Sequence, residues 1–292
     1  MTYVADEIAS QPACWRRAMG LAPDGLPPTG ERVAVIGCGT SLYIAQAYAA
    51  LREAAGLGET DAFAASEFPA GRRYDRLLAI SRSGTTTEVL DTLRRAVLDG
   101  TPTVAITGDP ATPISSAAAT VVDLGFADEK SVVQTRFATT ALVLLRAQLG
   151  LLPADLPEQA ERALLTPLPR GAAEAVQFTF LGTGWTVGLA HEAALKVREA
   201  SGSWTESYPA MEYRHGPISV TGPDSVLWFF GAPPAGLLDQ VRATGAVASV
   251  APFDPLADLI RAQRLAVELA TVRGLDPDRP RGLTRSIILA AS

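Results

Sequence analysis

A run of hydroxyl side chains is the first stretch of this sequence that could do chemistry. Five hydroxyl residues fall within seven positions: Ser81, Ser83, Thr85, Thr86 and Thr87. The apolar run Leu77-Leu78-Ala79-Ile80 precedes them and an apolar-periodic segment follows, a pattern typical of a strand, a turn and a helix start. Unpaired N–H groups and the helix dipole both favour an anion at a helix N-terminus. Five hydroxyls exceed what an N-cap uses, so the stretch predicts a phosphate site.

A carboxylate, an amine and an imidazole form the second group of candidates. Glu192, Lys196 and Glu199 are spaced i, i+4 and i+7, which places them on one face of a helix. A carboxylate in such a group can act as a base and the amine as an anchor or electrophile. Judged by spacing alone, a solvent-exposed Glu–Lys pair is a better interpretation than a catalytic group. His215 stands before Gly216-Pro217 on a constrained turn, where it could be an acid–base group or a structural loop residue.

Two Gly-x-Gly turns invite a dinucleotide interpretation and fail its fuller test. Gly37-Cys38-Gly39 and Gly182-Thr183-Gly184 both lack the third glycine of the fingerprint. The glycines are better explained by close approach of a small ligand to strand ends, with Thr40 and Ser41 adding polar contacts. Cys38 could be a nucleophile, but no partner histidine is near it in sequence, so we favour packing.

Short apolar runs alternate with helical patterns through the chain, which predicts an α/β fold with parallel sheets and helices on both faces. The leading helix is predicted over Val4–Leu21, and the first-half strands over Arg32–Ile36, Ala62–Ala65, Leu77–Ile80, Thr103–Thr107 and Thr120–Leu124. Helices are predicted over Leu42–Ala55, Thr86–Leu98, Ser115–Ala119 and Phe137–Leu149.

The pattern then repeats at an offset of 145 residues. The segment 33–40 resembles the segment 178–185, and an alanine-rich helix follows each. We therefore predict a first subdomain over 1–150, a linker over 151–176 and a second subdomain over 177–292. The strand Val226–Phe230 corresponds to Leu77–Ile80 but is followed by no hydroxyls, so the first half is expected to hold the phosphate.

Composition excludes several classes of protein. The 292 residues are 48% hydrophobic and 19% charged, as in a folded globular chain. A net charge of −6 argues against a general nucleic-acid surface. No apolar run approaches the ~20 residues of a membrane helix, and the N-terminus lacks a signal-peptide pattern. Cys14 and Cys38 show no metal-ligand spacing. A cytosolic protein without nucleic-acid or membrane partners is the expectation.

Four motifs together resemble a known family. They are Gly37-Cys38-Gly39-Thr40-Ser41, Ser81-Arg82-Ser83-Gly84-Thr85-Thr86, Glu192-Ala193-Ala194-Leu195-Lys196-Val197-Arg198-Glu199 and Arg214-His215-Gly216-Pro217. In this order they resemble the SIS (sugar isomerase) domain family, most closely the isomerase half of glutamine–fructose-6-phosphate aminotransferases and stand-alone amino-sugar-phosphate deaminases. The resemblance implies two SIS-type subdomains, each a flavodoxin-like, doubly wound parallel sheet.

The resemblance also implies a site. A phosphosugar would be bound by Thr40, Ser41, Ser81, Arg82, Ser83 and Thr86, with Val133, Gln134 and Arg285 near the sugar. Glu199 would move a proton between C1 and C2 through an enediol, Lys196 would anchor polar groups beside it, and His215 would assist ring opening. In the family that histidine comes from the neighbouring subunit, so a homodimer is implied. The implied chemistry needs no metal or redox cofactor.

Four positions or regions depart from the family pattern. Arg82 stands where the synthase has Gln, and Gln134 replaces a Ser. Arg285 stands where the synthase has the lysine that forms an imine with the ketose, and a guanidinium remains protonated and cannot do so. The N-terminus offers no nucleophilic cysteine, so no glutaminase activity is expected.

These features predict an aldose–ketose isomerase or an amino-sugar-6-phosphate deaminase. The alternatives are a non-catalytic phosphosugar sensor, which Arg285 favours, and deglycation of a fructosamine phosphate.

Overall fold

A computed structural model describes residues 2–69 and 71–290 of the chain. Backbone contacts divide the chain into two compact units, which we name by their sheets. The five-stranded unit comprises Ala13–Lys130, Arg136–Leu152 and 284–290. The four-stranded unit comprises 2–12, Ser131–Thr135 and Pro153–Leu283. The segment 131–135 therefore belongs to a different unit from the residues on either side of it.

The five-stranded unit contains a wholly parallel sheet. Its strands are β1 (Val33–Gly37), β2 (Thr60–Ala64), β3 (Arg76–Ser81), β4 (Thr103–Thr107) and β5 (Thr120–Asp123). They lie in the order β2-β1-β3-β4-β5. This is the flavodoxin-like order, in which the connections change direction between β1 and β3. The α/β prediction and the five strand positions are confirmed, with ends moved by one or two residues.

Helices cover both faces of this sheet. They are α2 (Gln11–Met19), α3 (Thr40–Ala54), α4 (Thr87–Leu98), α5 (Ile114–Ala117) and α6 (Arg136–Gln148). Alternate strand residues such as Ile36, Leu77 and Ala79 pack with α4 and α5 in one apolar cluster. The intervening residues, such as Val35 and Ile80, are fully buried on the opposite face, where α3 packs on β1 and on α6. Side chains alternate across a strand, so an apolar run without polar breaks is what a sheet covered on both faces needs.

The four-stranded unit repeats the same arrangement. Its strands are β6 (Gln177–Gly182), β7 (Thr205–Pro209), β8 (Ser225–Phe230) and β9 (Val247–Val250), all parallel in the order β7-β6-β8-β9. Its helices are α1 (Tyr3–Ala9), α7 (Leu156–Leu165), α8 (Thr186–Ser201), α9 (Leu237–Ala243) and α10 (Pro255–Val272). The long helices α8 and α10 pack together. On β8 the buried Trp228 donates to Asp258 of α10 at 2.7 Å.

The sequence analysis explained the glycines of the two Gly-x-Gly turns by close approach of a ligand. In the structure, the first glycine of each turn is required for helix packing. A Cβ on Gly37 would stand 2.6 Å from the backbone carbon of Ser41, at the start of α3. A Cβ on Gly182 would stand 2.2 Å from the carbonyl oxygen of Thr186, at the start of α8. Both glycines therefore let the following helix pack directly on the strand end.

The prediction of one continuous leading helix over Val4–Leu21 is wrong. The segment forms α1 and α2, separated at Ser10. Pro12 lacks the N–H that would continue the helix, and its ring excludes the carbonyl of Ile8. Most of α2 lies in the five-stranded unit, whereas α1 belongs to the four-stranded unit.

The segment predicted as a linker, 151–176, contains a packed helix. Leu156, Ala160 and Ala163 of α7 are fully buried, and α7 packs on α10. The chain from Pro153 onward is therefore part of the four-stranded unit. Across the described residues, no helix is both long enough and apolar enough to cross a bilayer.

Candidate functional site

The hydroxyl loop, residues 81–87, lies where the five-stranded sheet changes winding direction. Ser81 ends β3, and Thr87 begins α4. The neighbouring strand β1 ends at Gly37, and α3 begins at Thr40 on the other face of the sheet. In doubly wound sheets the crevice outside the carboxyl ends of two such strands is where ligands bind. The fold therefore brings Thr40 and Ser41 to the same sheet edge as the loop.

The hydroxyls of the loop do not serve as a helix cap. Thr86 occupies the N-cap position of α4 without a side-chain capping hydrogen bond. Its Oγ1 instead lies 3.5 Å from Ser83 Oγ, which accepts from the Thr85 N–H at 3.3 Å. Gly84 has a φ of +62°, and a Cβ there would stand 2.0 Å from Thr112 Oγ1. The loop is thus held in a tight shape in which the Thr86 hydroxyl contacts Ser83 and caps no helical N–H.

Two of the five hydroxyl residues bind the tail segment, residues 284–290. Thr85 Oγ1 donates to Ser286 Oγ at 2.9 Å, and Thr87 Oγ1 accepts from the Leu289 N–H at 2.9 Å. The Thr87 N–H donates to the carbonyl of Ile287 at 3.2 Å. Ser81, Ser83 and Thr86 have no hydrogen bond to the described tail segment, and Ser83 and Thr86 contact each other within the loop.

Arg82 is part of a buried ion pair inside the five-stranded unit. Its Nη1 lies 3.5 Å from Glu129 Oε2, and the two side chains are 1% and 0% exposed. Its Nη2 donates to the backbone carbonyl of Arg285 at 3.3 Å. The guanidinium predicted to meet a phosphate is therefore engaged with a carboxylate and with the tail segment.

Glu129 connects three parts of the five-stranded unit. Its Oε1 accepts from the Arg136 N–H at 2.8 Å, and its backbone carbonyl accepts from Arg285 Nη1. Arg285 Nη2 also donates to Asp128 Oδ1 at 2.5 Å. The guanidinium of Arg285 is thus held by an acidic loop. The sequence analysis missed Glu129, because a loop glutamate beside Asp128 and Lys130 carries no periodic signal of burial.

The acid–amine group on α8 forms as its spacing predicts, and it is buried. Lys196, 1% exposed, contacts Glu199 Oε2 and lies 3.6 Å from Glu192 Oε1. Glu192 is buried as well, whereas the Glu199 side chain keeps 20% of its surface exposed. The interpretation as a solvent-exposed pair is therefore wrong. An amine shared by two carboxylates holds Glu199 in place and leaves it open to a ligand.

The remaining predicted site residues of the four-stranded unit are not drawn into that group. His215 is exposed at the end of a short 3-10 helix, Glu212–His215, and its side chain makes no hydrogen bond or ion pair with any described residue. In the segment 131–135, Val133 is buried and Gln134 is partly buried. The Gln134 Oε1 is shielded from water and has no hydrogen-bond partner within residues 2–69 and 71–290.

Cys38 follows β1 and is half-buried beside the hydrophobic cluster under α4. Burial raises the pKa of its thiol above the ordinary 9.0, and the negative charge of Glu88 raises it further, against a backbone hydrogen bond at Ala65 that lowers it. The thiolate is the nucleophilic form of cysteine. The site therefore disfavours a nucleophile and agrees with packing. In the described part of the chain, no three His, Cys, Asp or Glu side chains gather as a metal site.

We expect iodoacetamide to modify Cys38 more slowly at pH 7 than it modifies free cysteine, with a pH midpoint above 9.0. Glu88→Gln should lower that midpoint, because it removes a negative charge that opposes ionisation. Peptide mass mapping across a pH series measures both, and Cys38→Ser reports any contribution of Cys14. A midpoint below 9.0 in the unaltered protein would contradict the expectation.

Comparisons with known proteins agree with this geometry. The profile of the SIS domain matches residues 29–148. The glutamine–fructose-6-phosphate aminotransferase [isomerizing] of Thermus thermophilus is 30% identical over 325 residues, which cover 92% of this chain and 54% of that protein. The chain spans about half the length of the curated relatives it matches.

Two solved structures show the same fold along nearly the whole chain. A glucosamine-6-phosphate deaminase from Thermotoga maritima superposes with a TM-score of 0.83 at 22% identity, covering 99% of this chain and 100% of that one. The C-terminal domain of glucosamine-fructose-6-phosphate aminotransferase from Francisella tularensis gives 0.79 at 21% identity, covering 96% and 98%. The resemblance found in the four motifs is therefore confirmed: residues 29–148 of this chain are a SIS domain.

Proposed function

We propose that the protein is an enzyme that moves a proton between C1 and C2 of a hexose phosphate, as an aldose–ketose isomerase or an amino-sugar-6-phosphate deaminase. The observation that carries the proposal is the carboxylate of Glu199, fixed by the buried Lys196 and still partly exposed. A base for a carbon acid beside a carbonyl needs a fixed position and access to substrate. The relatives and the similar structures are named for reactions of sugar phosphates.

In the proposed reaction the hydroxyls hold the phosphate and the acid–amine group does the chemistry. Ser81, Ser83 and Thr86, with Thr40 and Ser41, bind the phosphate oxygens. Glu199 removes the proton from one carbon, the electron pair forms the enediol, and the same carboxyl group returns a proton to the neighbouring carbon. Lys196 remains the anchor of the carboxylate. The reaction requires neither glutamine hydrolysis nor a metal.

Two further roles follow from the family resemblance. His215 acts as the acid–base group that opens the sugar ring, and it does so in a homodimer. Its exposed position, with no hydrogen bond or ion pair to a described residue, is compatible with use by a second subunit. Val133 and Gln134 contact the sugar.

Arg285 limits which reactions are proposed. Its guanidinium is bound by Asp128 and by the Glu129 carbonyl, and a guanidinium does not supply the free amine that forms an imine with a ketose. Isomerisation does not need an imine, and in deamination the substrate already carries its nitrogen. The same residue favours the rival function, a phosphosugar sensor that binds without turnover.

Exchange of carbon-bound hydrogen tests the proposal. The protein is incubated with fructose 6-phosphate or glucosamine 6-phosphate in deuterated water, and deuterium at C1 or C2 is followed by NMR. The proposal expects exchange with at least one of these sugars. Thermal stabilisation by a sugar phosphate without exchange would indicate the sensor, and neither effect with any hexose phosphate would overturn both functions.

A further inference from the structure

We infer that Glu7, on α1, is a positioning residue that holds the segment 131–135 in the shape in which it contacts the sugar. The inference rests on the proposed function, in which Val133 and Gln134 of that segment contact the substrate. No motif or resemblance pointed to Glu7. Its evidence is a set of buried contacts inside the four-stranded unit.

The first contact joins the carboxylate of Glu7 to the start of the segment. Glu7 is 4% exposed and Ser131 is 1% exposed. Glu7 Oε1 accepts from the Ser131 N–H at 3.3 Å, and Oε2 contacts Ser131 Oγ. Ser131 Oγ also lies 2.7 Å from the carbonyl oxygen of Val133, which folds the segment back on itself. Burying a carboxylate against an uncharged loop costs free energy unless its oxygens accept hydrogen bonds. Ser131 supplies these hydrogen bonds to Glu7, so the contact fixes the position of the segment.

The second contact joins the same segment to α1 by another route. The Val132 N–H donates to the backbone carbonyl of Asp278 at 2.9 Å. The carboxylate of Asp278 accepts from the N–H groups of Tyr3 and Val4, at 2.8 and 2.7 Å, at the first turn of α1. The first turn of a helix leaves such N–H groups without partners in the helix, and an acidic group there is favourable. Asp278, α1 and the segment therefore form a closed ring of contacts.

This ring fixes a short loop before any ligand arrives. A free loop loses conformational entropy when a ligand orders it, and that loss weakens binding. With residues 131 and 132 anchored, Val133 and Gln134 have little freedom left to lose. Loss of the Glu7 anchor should therefore weaken binding of the sugar, whereas inorganic phosphate, which lacks the sugar, should bind as before.

The test compares two ligands in matched variants by calorimetry. We expect Glu7→Ala to raise the Kd for fructose 6-phosphate about tenfold, a loss of the size produced by removing one charged hydrogen-bond partner. The Kd for inorganic phosphate should stay unchanged. Glu7→Gln keeps an oxygen that can accept from the Ser131 N–H and should restore part of the affinity. Asp6→Ala is the control, because Asp6 is exposed on the same helix and its side chain has no contact with the segment.

Ser131→Ala provides a second approach that does not alter α1. It should weaken binding of fructose 6-phosphate and leave binding of inorganic phosphate unchanged. In the Ser131→Ala background, adding Glu7→Ala should weaken sugar binding less than Glu7→Ala does in the unaltered protein. If Glu7→Ala does not fold, Glu7→Gln and Ser131→Ala carry the same comparison. An equal loss of affinity for fructose 6-phosphate and inorganic phosphate, or no loss of affinity for either, would overturn the positioning role. The proposed function would be left intact. An unaltered protein that binds no sugar phosphate would overturn both.

Discussion

Glu199→Gln is expected to slow deuterium exchange at C1 and C2 of the substrate about 10³-fold, within the range that a general base contributes. The amide has nearly the shape of the carboxylate but cannot accept the carbon-bound proton. Substrate affinity should change little, because the hydroxyl loop and not Glu199 holds the phosphate in the proposed reaction. The variant therefore separates binding from turnover, which is the difference between the enzyme and the sensor.

The structure also explains why this variant should fold. Lys196 stays paired when Glu199 is altered, since Glu192 Oε1 lies 3.6 Å from its Nζ. Replacing Lys196 instead would leave the buried carboxylate of Glu192 without that cation, and such losses are strongly destabilising. A kinetic effect of Glu199→Gln can thus be interpreted chemically.

NMR exchange rates and calorimetric Kd values measure the two halves of this prediction. Glu174→Gln is a suitable control, because Glu174 is an exposed carboxylate of the same unit whose side chain makes no hydrogen bond or ion pair with a described residue. Exchange at an unchanged rate in Glu199→Gln would remove Glu199 from the reaction. If the variant lost both substrate binding and deuterium exchange, Glu199 would be a ligand-binding residue instead of a base.

The parts of the site that were predictable are those with a local signal. The hydroxyl loop is seven consecutive residues between a strand and a helix, so its position at the end of β3 follows from the alternation of elements. The group on α8 follows from helical spacing, although spacing does not distinguish a buried triad from a solvated face. Burial of Lys196 depends on how α8 packs with α10 and with the strands of the sheet, which no local pattern contains.

The parts that were not predictable are contacts between residues far apart in the chain. Glu7 meets Ser131 across 124 positions, and Arg285 meets Asp128 across 157. Side chains of these types are usually solvated, and no local pattern marks the ones that meet a distant partner. Pro12, in contrast, is a local signal, because a proline inside a helical pattern removes a backbone N–H and divides the helix.

Arg82→Met is expected to lower the free energy of unfolding by about 3–5 kcal/mol, because it removes a cation that lies 3.5 Å from the buried carboxylate of Glu129. Methionine keeps much of the length and apolar stem of arginine, so the change removes charge more than volume. Because Arg82 also donates to the backbone carbonyl of Arg285 at 3.3 Å, we expect the substitution to weaken the attachment of the tail segment as well. This prediction treats Arg82 as a structural cation, whereas the sequence resemblance placed it on the phosphate.

Urea denaturation of Arg82→Met, Glu129→Gln and the double variant measures the coupling directly. The double variant should be more stable than the sum of the single losses implies, because neither residue then leaves a buried charge behind. Arg94→Met is the control: Arg94 and Asp91 pair at 3.2 Å with side chains 53% and 64% exposed, and such a pair contributes about 0–1 kcal/mol. If Arg82→Met kept the stability of the unaltered protein and lost affinity for inorganic phosphate, Arg82 would be a phosphate ligand and the buried ion pair would have no structural weight.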